Sequence, residues 1–205
     1  MDITCSVRTE RRTKRPEAMG RLVCVLLYVK EEFNATERGD IKDEKFQESL
    51  WCDIKHKKEK ILIGVCYRAP DATEDTSQGL CKLVEKVAGE RALIMGDFNY
   101  HIDWENLEAE RPQDKMFMEC INDNFLTQHV TEATRGCNIL DLVITSDDRL
   151  VENVNVGENF GTSDHQIVTF DLKVLESEIN TQNQNKKNYF RGNYDQARQI
   201  IKTGI

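Results

Sequence analysis

The sequence predicts an α/β fold in which strands outnumber helices. Short runs of β-forming residues recur along the chain, while two stretches show the helical spacing of apolar residues. Within residues 49–68 and 139–174, the strand-like runs are joined by connections too short for a parallel crossover. This favours mixed or antiparallel sheets, and both a layered α/β sandwich and a doubly wound sheet fit the pattern.

In the first part of the chain the pattern is strand-rich. Residues 1–19 are polar and contain Pro16, so we expect an arm without regular structure. LVCVLLYVK (22–30) is long enough for a buried strand, and the polar stretch after it is predicted to be a loop. SLWCDIK (49–55) and KILIGVCYR (60–68) then predict a hairpin around a lysine-rich connection.

Two helices are expected in the middle of the chain. The first follows Pro70 and ends at Gly89, and the second runs from about Asp114 to Phe125 with Phe125 on its apolar face. ALIMGDF (92–98) lies between them as a short interior strand. The remaining predicted strands are 139–146, 151–157 and 166–174. Residues 176–205 are predicted to be a polar linker with a frayed terminal helix.

Composition excludes several classes of protein. The length of 205 residues suits one globular domain, with 39% hydrophobic and 31% charged residues. We expect neither a membrane protein nor a secreted one, because no long apolar run and no signal-peptide core are present. The seven cysteines form no CxxC pair, which is typical of a reduced compartment and predicts a nuclear or cytoplasmic location.

The net charge of −8 opposes long-range attraction to a phosphate backbone. A nucleic-acid substrate would have to be attracted by a local basic patch or by a metal ion. Basic residues cluster within 8–15 and 55–60, although solvated surface charge is the simpler interpretation of each cluster.

Polar residues end the predicted strand 92–98. Asp97 and Asn99 are two residues apart, so on an extended chain they point to the same side and could orient a water molecule. A strand-terminating turn is the structural alternative, because Gly, Asp and Asn are turn residues. Asp141 is a second candidate, since a carboxylate within an apolar strand is costly unless it is paired or faces solvent.

A third cluster, Gly161–His165, precedes the last predicted strand. Its adjacent Asp164 and His165 suit a ligand and an acid–base imidazole, or else a cap-like turn with an incidental histidine. With Tyr67, the candidates all lie at predicted strand ends. Oxygen ligands without a cysteine or histidine pair favour Mg²⁺ over zinc, and this set suits hydrolysis of a phosphate ester.

These motifs resemble the endonuclease/exonuclease/phosphatase superfamily, and most closely the apurinic-endonuclease-like domain of non-LTR retrotransposon polyproteins. The resemblance covers roughly residues 20–175, and the tail resembles the segment that precedes the reverse transcriptase. Inositol 5-phosphatases share the GDFN pattern but carry a different motif where this chain has NILDLVI. The matching pieces are LYVKE, ESLWCDI, IGVCYRAP, LIMGDFNYHIDWEN, QHVTEATRG, NILDLVITS and TSDHQIVTFDL.

The resemblance implies a role for each candidate residue. Asp97 would orient or deprotonate the attacking water, and Asn99 would hold that water or the scissile phosphate. His165 would stabilise charge on the phosphate, with Asp141 orienting its imidazole. The roles of the remaining candidates are phosphate contact for Tyr67 and metal binding for Asp164.

The resemblance also implies a four-layer α/β sandwich, weakly bound Mg²⁺ or Mn²⁺, and a DNA backbone as the substrate. In the family, an asparagine and a metal-binding glutamate come from strands before the LYVKE piece, and only the polar arm occupies that position here. We therefore expect an incomplete sandwich. A catalytically inactive remnant that binds nucleic acid or protein is the alternative to a DNA-nicking endonuclease.

Overall fold

The protein is described by a computed structural model over residues 5–8, 24–56, 59–159 and 161–173. A short 3₁₀ turn, Asp148–Leu150, precedes the last hairpin. The strands are β1 (Cys5–Arg8), β2 (Cys24–Leu27), β3 (Asn34–Glu37), β4 (Ser49–His56), β5 (Glu59–Tyr67), β6 (Ala92–Asp97), β7 (Ile102–Asp103), β8 (Glu108–Ala109), β9 (Thr127–Gln128), β10 (Asp141–Thr145), β11 (Val151–Asn159) and β12 (Gln166–Leu172). The helices are α1 (Glu74–Val87) and α2 (Pro112–Asp123).

A mixed six-stranded sheet organises the fold, in the order β3-β4-β5-β6-β10-β9. Its strands pair antiparallel except β5 and β6, which are parallel and are joined through α1. This agrees with the rule that parallel neighbours require a long crossover. The predicted mixed α/β fold is confirmed, and the predicted hairpin of residues 49–68 is β4–β5.

Each face of the sheet is covered by a different layer. On one face α1 and α2 bury their apolar residues, such as Leu83 and Phe117. On the other face the sheet packs against the β11–β12 hairpin, through Val151 and Leu172, and against Val25 of β2. The described residues thus supply a helical layer, the six-stranded sheet and a second strand layer of the expected sandwich. No helix within these ranges combines the length and apolar composition needed to cross a bilayer.

Aromatic packing fixes the segment that follows β6. Phe98 and Tyr100 are fully or almost fully buried, and both rings stack on Phe117 of α2, at centroid distances of 5.4 and 4.3 Å. Asp97 and Asn99 alternate with these two aromatic residues along the chain, and their side chains are hydrogen-bonded to each other. The hydrophobic core therefore positions the polar residues of this segment.

Several local predictions need correction. Residues 5–8, assigned to an irregular arm, form β1 and pair with β2. The predicted loop after residue 30 contains β3, whose residues are all exposed, so no apolar pattern marked it. Helix α2 ends at Asp123, and Phe125 lies beyond it, 79% exposed at φ 55°, instead of on the apolar face. The predicted polar linker and terminal helix lie outside the described residues.

Candidate active site

Asp97 is placed by an unusual backbone at the end of β6. Gly96, which precedes it, has φ 142°, a conformation that side-chain-bearing residues rarely adopt. It is paired in parallel register with Cys66, and a Cβ at Gly96 would lie 1.9 Å from the Cys66 carbonyl oxygen. Glycine is therefore required for β6 to approach β5 this closely and deliver Asp97 to the end of the sheet.

Asn99 adopts a left-handed conformation with φ 51°, which asparagine tolerates better than most residues. Its side-chain nitrogen donates to Asp97 Oδ1 at 2.6 Å and to the Arg68 carbonyl oxygen at 2.8 Å. The carboxylate and the carboxamide are thus held together, as the sequence predicts. The left-handed backbone at Asn99 accompanies this contact, and the catalytic role of the two residues stays a prediction.

Arg68 is a structural element of the site that the sequence analysis missed. It is fully buried, donates to the Asn99 carbonyl oxygen at 3.2 Å and to Ser77 Oγ at 3.2 Å, and lies 4.2 Å from the centroid of the Tyr100 ring. Its backbone N–H also donates to the Asp97 carbonyl oxygen. These bonds fix the loop that carries Asp97 and Asn99 against the end of β5.

Asp141 and His165 form a hydrogen-bonded pair beside Asp97. Asp141 begins β10 directly opposite Asp97 in antiparallel register. His165 Nδ1 lies 2.9 Å from Asp141 Oδ2, and His165 Nε2 lies 3.9 Å from Asp97 Oδ2. Since an ionised carboxylate only accepts hydrogen bonds, Nδ1 carries a proton and Nε2 is directed towards Asp97.

The electrostatics of the site favour proton transfer near neutral pH. Burial, and secondarily the nearby Asp141 carboxylate, raise the pKa of Asp97 to about 6. The hydrogen bond to Asp141 raises the pKa of His165 despite its partial burial. A carboxylate with a pKa near 6 is mostly ionised at neutral pH and still accepts a proton effectively.

Replacement of Asp97 by asparagine should change how stability depends on pH. The pKa of Asp97 is raised from 3.8 to about 6, so proton binding stabilises the folded state at low pH. That stabilisation is lost as the pH rises through the folded-state pKa. The quantity to compare is the free energy of unfolding of Asp97→Asn minus that of wild type, both measured in EDTA. This difference should increase by about 2 kcal/mol as the pH rises from about 4 to about 8, because only the wild type loses the stabilisation.

Urea unfolding at a series of pH values measures this difference. Asp147→Asn is the matched control, because Arg149 lowers the pKa of Asp147 and no such increase is expected. A pH-independent difference for Asp97→Asn would contradict the electrostatic description of the site.

Two further candidates, Tyr67 and Asp164, lie next to the cluster of Asp97, Asn99, Asp141 and His165 and not within it. Tyr67 ends β5, is buried, and is paired in register with Asp97 on the neighbouring strand. Asp164 precedes His165 and forms an ion pair with Arg135, whose Nη2 lies 2.6 Å from Asp164 Oδ2. The phosphate-contacting role of Tyr67 and the metal-binding role of Asp164 stay predictions.

The donor set is compatible with a hard divalent cation. One ligand atom from each of Asp97, Asp141 and His165 lies within 4.8 Å of the others. His165 Nδ1 donates to Asp141, which leaves Nε2 as the ring nitrogen that could accept a proton or bind a metal ion. The pKa of Asp97 is raised because its ionised form is buried and lies beside the Asp141 carboxylate. A cation near the two carboxylates would reduce the free-energy cost of keeping Asp97 ionised.

An open cleft with a volume of about 1360 Å³ begins beside the site at His101 and Asn138. Carboxylates line much of it, including Glu105, Glu108 and Glu110. Acidic walls repel phosphate groups, which disfavours this cleft as the path of a nucleic-acid backbone.

The family described as "Endonuclease-reverse transcriptase" matches residues 61–169, just over half of the chain. That range contains Asp97, Asn99, Asp141 and His165. The chain belongs to this family. The predicted membership of the endonuclease/exonuclease/phosphatase superfamily, among endonucleases associated with reverse transcriptases, is thereby confirmed, whereas no curated protein matches the sequence.

The similarity to one solved structure, with a TM-score above 0.6, supports the fold. The endonuclease domain of TRAS1, a telomere-specific non-LTR retrotransposon, is similar with a TM-score of 0.62 and 15% identity, over 77% of this chain and 78% of that one. The human Nocturnin catalytic domain with bound sulfate is 14% identical, with a TM-score of 0.47 over 83% and 72% of the chains. An endonuclease/exonuclease/phosphatase family protein from Leptotrichia buccalis C-1013-b is 13% identical, with a TM-score of 0.43 over 70% and 61% of the chains.

Proposed function

We propose that the protein is a divalent-cation-dependent phosphodiesterase that nicks DNA. The observation that carries this proposal is the convergence of Asp97, Asp141 and His165, whose ligand atoms lie within 4.8 Å of one another. Membership of the endonuclease–reverse transcriptase family supports a nucleic-acid substrate. The pairing of Asn99 with Asp97 adds a carboxamide to the same site.

The reaction needs an activated water, a stabilised phosphate and a protonated leaving group. Asp97 would accept the proton from the water as its oxygen attacks phosphorus, and Asn99 would hold that water or the phosphate. The bond from phosphorus to the leaving sugar oxygen breaks, and that oxygen takes a proton from solvent. Protonated His165 would donate a hydrogen bond from Nε2 to a phosphate oxygen as negative charge develops there.

Asp141 would act through His165. Its carboxylate accepts from His165 Nδ1 at 2.9 Å, which fixes the ring and raises the pKa of the imidazole. A higher pKa keeps more of the imidazole in the cationic form that attracts a phosphate. Asp141 is therefore a positioning residue in this proposal.

The metal would be Mg²⁺ or Mn²⁺, with Asp164 as its proposed protein ligand. When bound, the ion neutralises negative charge on the phosphate. Mg²⁺ is commonly held by one or two carboxylates and retains several waters, so a site with few protein ligands binds it weakly. With a net charge of −8, the protein would depend on this ion to attract DNA.

Nicking of supercoiled plasmid by the full chain tests the proposal. We expect slow conversion of supercoiled to open-circular DNA in millimolar Mg²⁺ or Mn²⁺, and complete loss of this activity in EDTA. A rate that persists in EDTA would contradict the metal-dependent mechanism. Absence of any cleavage, under conditions where the protein is folded by circular dichroism, would favour the inactive binding remnant instead.

A further inference from the structure

The open cleft beside the active site has apolar lining residues that the proposed chemistry does not use. Ile102, Met118 and Leu126 belong to the hydrophobic core on the helix side of the sheet and also line the cleft. Leu107 lies in the same lining and is 50% exposed. At about 1360 Å³ the cleft exceeds the volume of about 300–1,000 Å³ usual for small-molecule pockets, so it is better suited to a peptide chain.

The β7–β8 hairpin forms one side of the cleft, and its own hydrogen bonds fix its shape. Asp103 of β7 pairs with Glu108 of β8. In the turn between the two strands, Asp103 Oδ1 accepts from the backbone N–H groups of Glu105 and Asn106, both at 3.0 Å. The carboxylate of Asp103 is therefore used within the hairpin, which holds this side of the cleft in place.

Three other carboxylates of this segment have no partner. The exposed side chains of Glu105, Glu108 and Glu110 form no hydrogen bond or ion pair within the described part of the chain. Lys115 also lines the cleft, and the carboxylates outnumber it. Trp104, in the same lining, has a buried indole N–H with no acceptor among the described residues. The cleft therefore lacks cations for its carboxylates and an acceptor for this donor.

We propose that the cleft is a docking site for a basic peptide segment of a partner protein, one that combines lysine or arginine side chains with apolar ones. Charge complementarity favours this occupant, because the unpaired carboxylates attract cations and repel the phosphates of a nucleic acid. The apolar lining would contact the apolar side chains of the peptide, and peptide carbonyls are acceptors of the kind that Trp104 lacks. The inference goes beyond the proposed function and does not depend on it.

Fluorescence anisotropy of a short labelled peptide of alternating lysine and leucine, titrated with the full chain in EDTA, tests the proposal. Neutralisation of the three unpaired carboxylates should weaken peptide binding about tenfold, since each exposed charge pair contributes modestly and three are lost. This cleft variant is Glu105→Gln/Glu108→Gln/Glu110→Gln. Absence of peptide binding by the folded wild type would overturn the proposal.

A matched control removes the same charge from the opposite edge of the central sheet. Exposed glutamates precede or belong to β3, whereas β9, at the other edge, lines the cleft. The control variant should bind the peptide within about twofold of wild type, because salt screens its distant charges. It is Glu31→Gln/Glu32→Gln/Glu37→Gln. An equal loss in the two triple variants would show general attraction to the negative protein and overturn the proposal.

The apolar contact is tested by Leu107→Asn, which should weaken peptide binding about three- to tenfold. Asparagine tolerates the φ of 54° at this position, so the variant should remain folded by circular dichroism. The exposed Ile167 of β12 provides the control, and Ile167→Thr should leave the affinity unchanged. An unchanged affinity of Leu107→Asn would contradict docking in the cleft.

Two further outcomes would assign the cleft to a different occupant and overturn the proposal. One is binding of a labelled DNA duplex that the cleft variant weakens. The other is a dimer of the wild type, detected by analytical ultracentrifugation, that the cleft variant dissociates.

Discussion

Asp141→Asn is expected to lower the rate of plasmid nicking by about 10²–10⁴-fold, the range typical of a lost acid–base or positioning interaction. Asparagine keeps the size of the side chain but removes the charge that holds the His165 ring and raises its pKa. His165→Ala should cause a loss of similar size, because it removes the group on which Asp141 acts.

The two substitutions should not be additive. Residues that act as one unit lose the same function when either is removed, so the double variant should be about as slow as the slower single variant. His129→Ala is the histidine control, since His129 Nε2 lies 2.7 Å from Thr145 Oγ1 at the other end of β10. Rates near wild type for Asp141→Asn, or fully additive losses, would show that the pair does not act as a unit.

Gly96→Ala is expected to cost at least about 4 kcal/mol of stability, or to prevent folding at ordinary temperature. The added Cβ would lie 1.9 Å from the Cys66 carbonyl oxygen, a backbone atom that cannot move without separating β5 from β6. The φ of 142° adds strain for any residue with a side chain.

Urea unfolding followed by circular dichroism measures this loss. Gly89→Ala is the matched control, because an added Cβ there meets nothing within 4 Å. Its stability should remain within about 1 kcal/mol of wild type. An unfolding midpoint of Gly96→Ala equal to that of wild type would contradict the close pairing of β5 with β6.

The sequence predicts the central elements because their signals are local. The apolar runs of β4, β5, β6 and β10 are buried on both faces of a sheet, and such strands read as continuous hydrophobic segments. Polar residues that interrupt or follow such runs are conspicuous, which is why Asp97 and Asp141 could be selected. Their pairing across β6 and β10 brings them together at one end of the sheet.

The contacts around the site could not be predicted, because they join residues that are distant in the sequence. Nothing near Arg68 indicates that a guanidinium would be buried against the Asn99 carbonyl oxygen. Arg135 and Asp164 are both ordinary surface charges in the sequence, and the fold alone pairs them. The exposed position of Phe125 was missed for a different reason, because helix α2 ends before the apolar pattern does.

The nicking rate of Asp97→Ala beside that of wild type tests the central claim most directly, since Asp97 is the residue proposed to activate the water. Both proteins should be folded and assayed with the same plasmid in millimolar Mg²⁺, with Asp147→Ala as an aspartate control beyond the opposite end of β10. The account predicts that Asp97→Ala abolishes the slow metal-dependent nicking and that Asp147→Ala preserves it. Nicking by Asp97→Ala at the wild-type rate would place the chemistry elsewhere and contradict the assignment of the site.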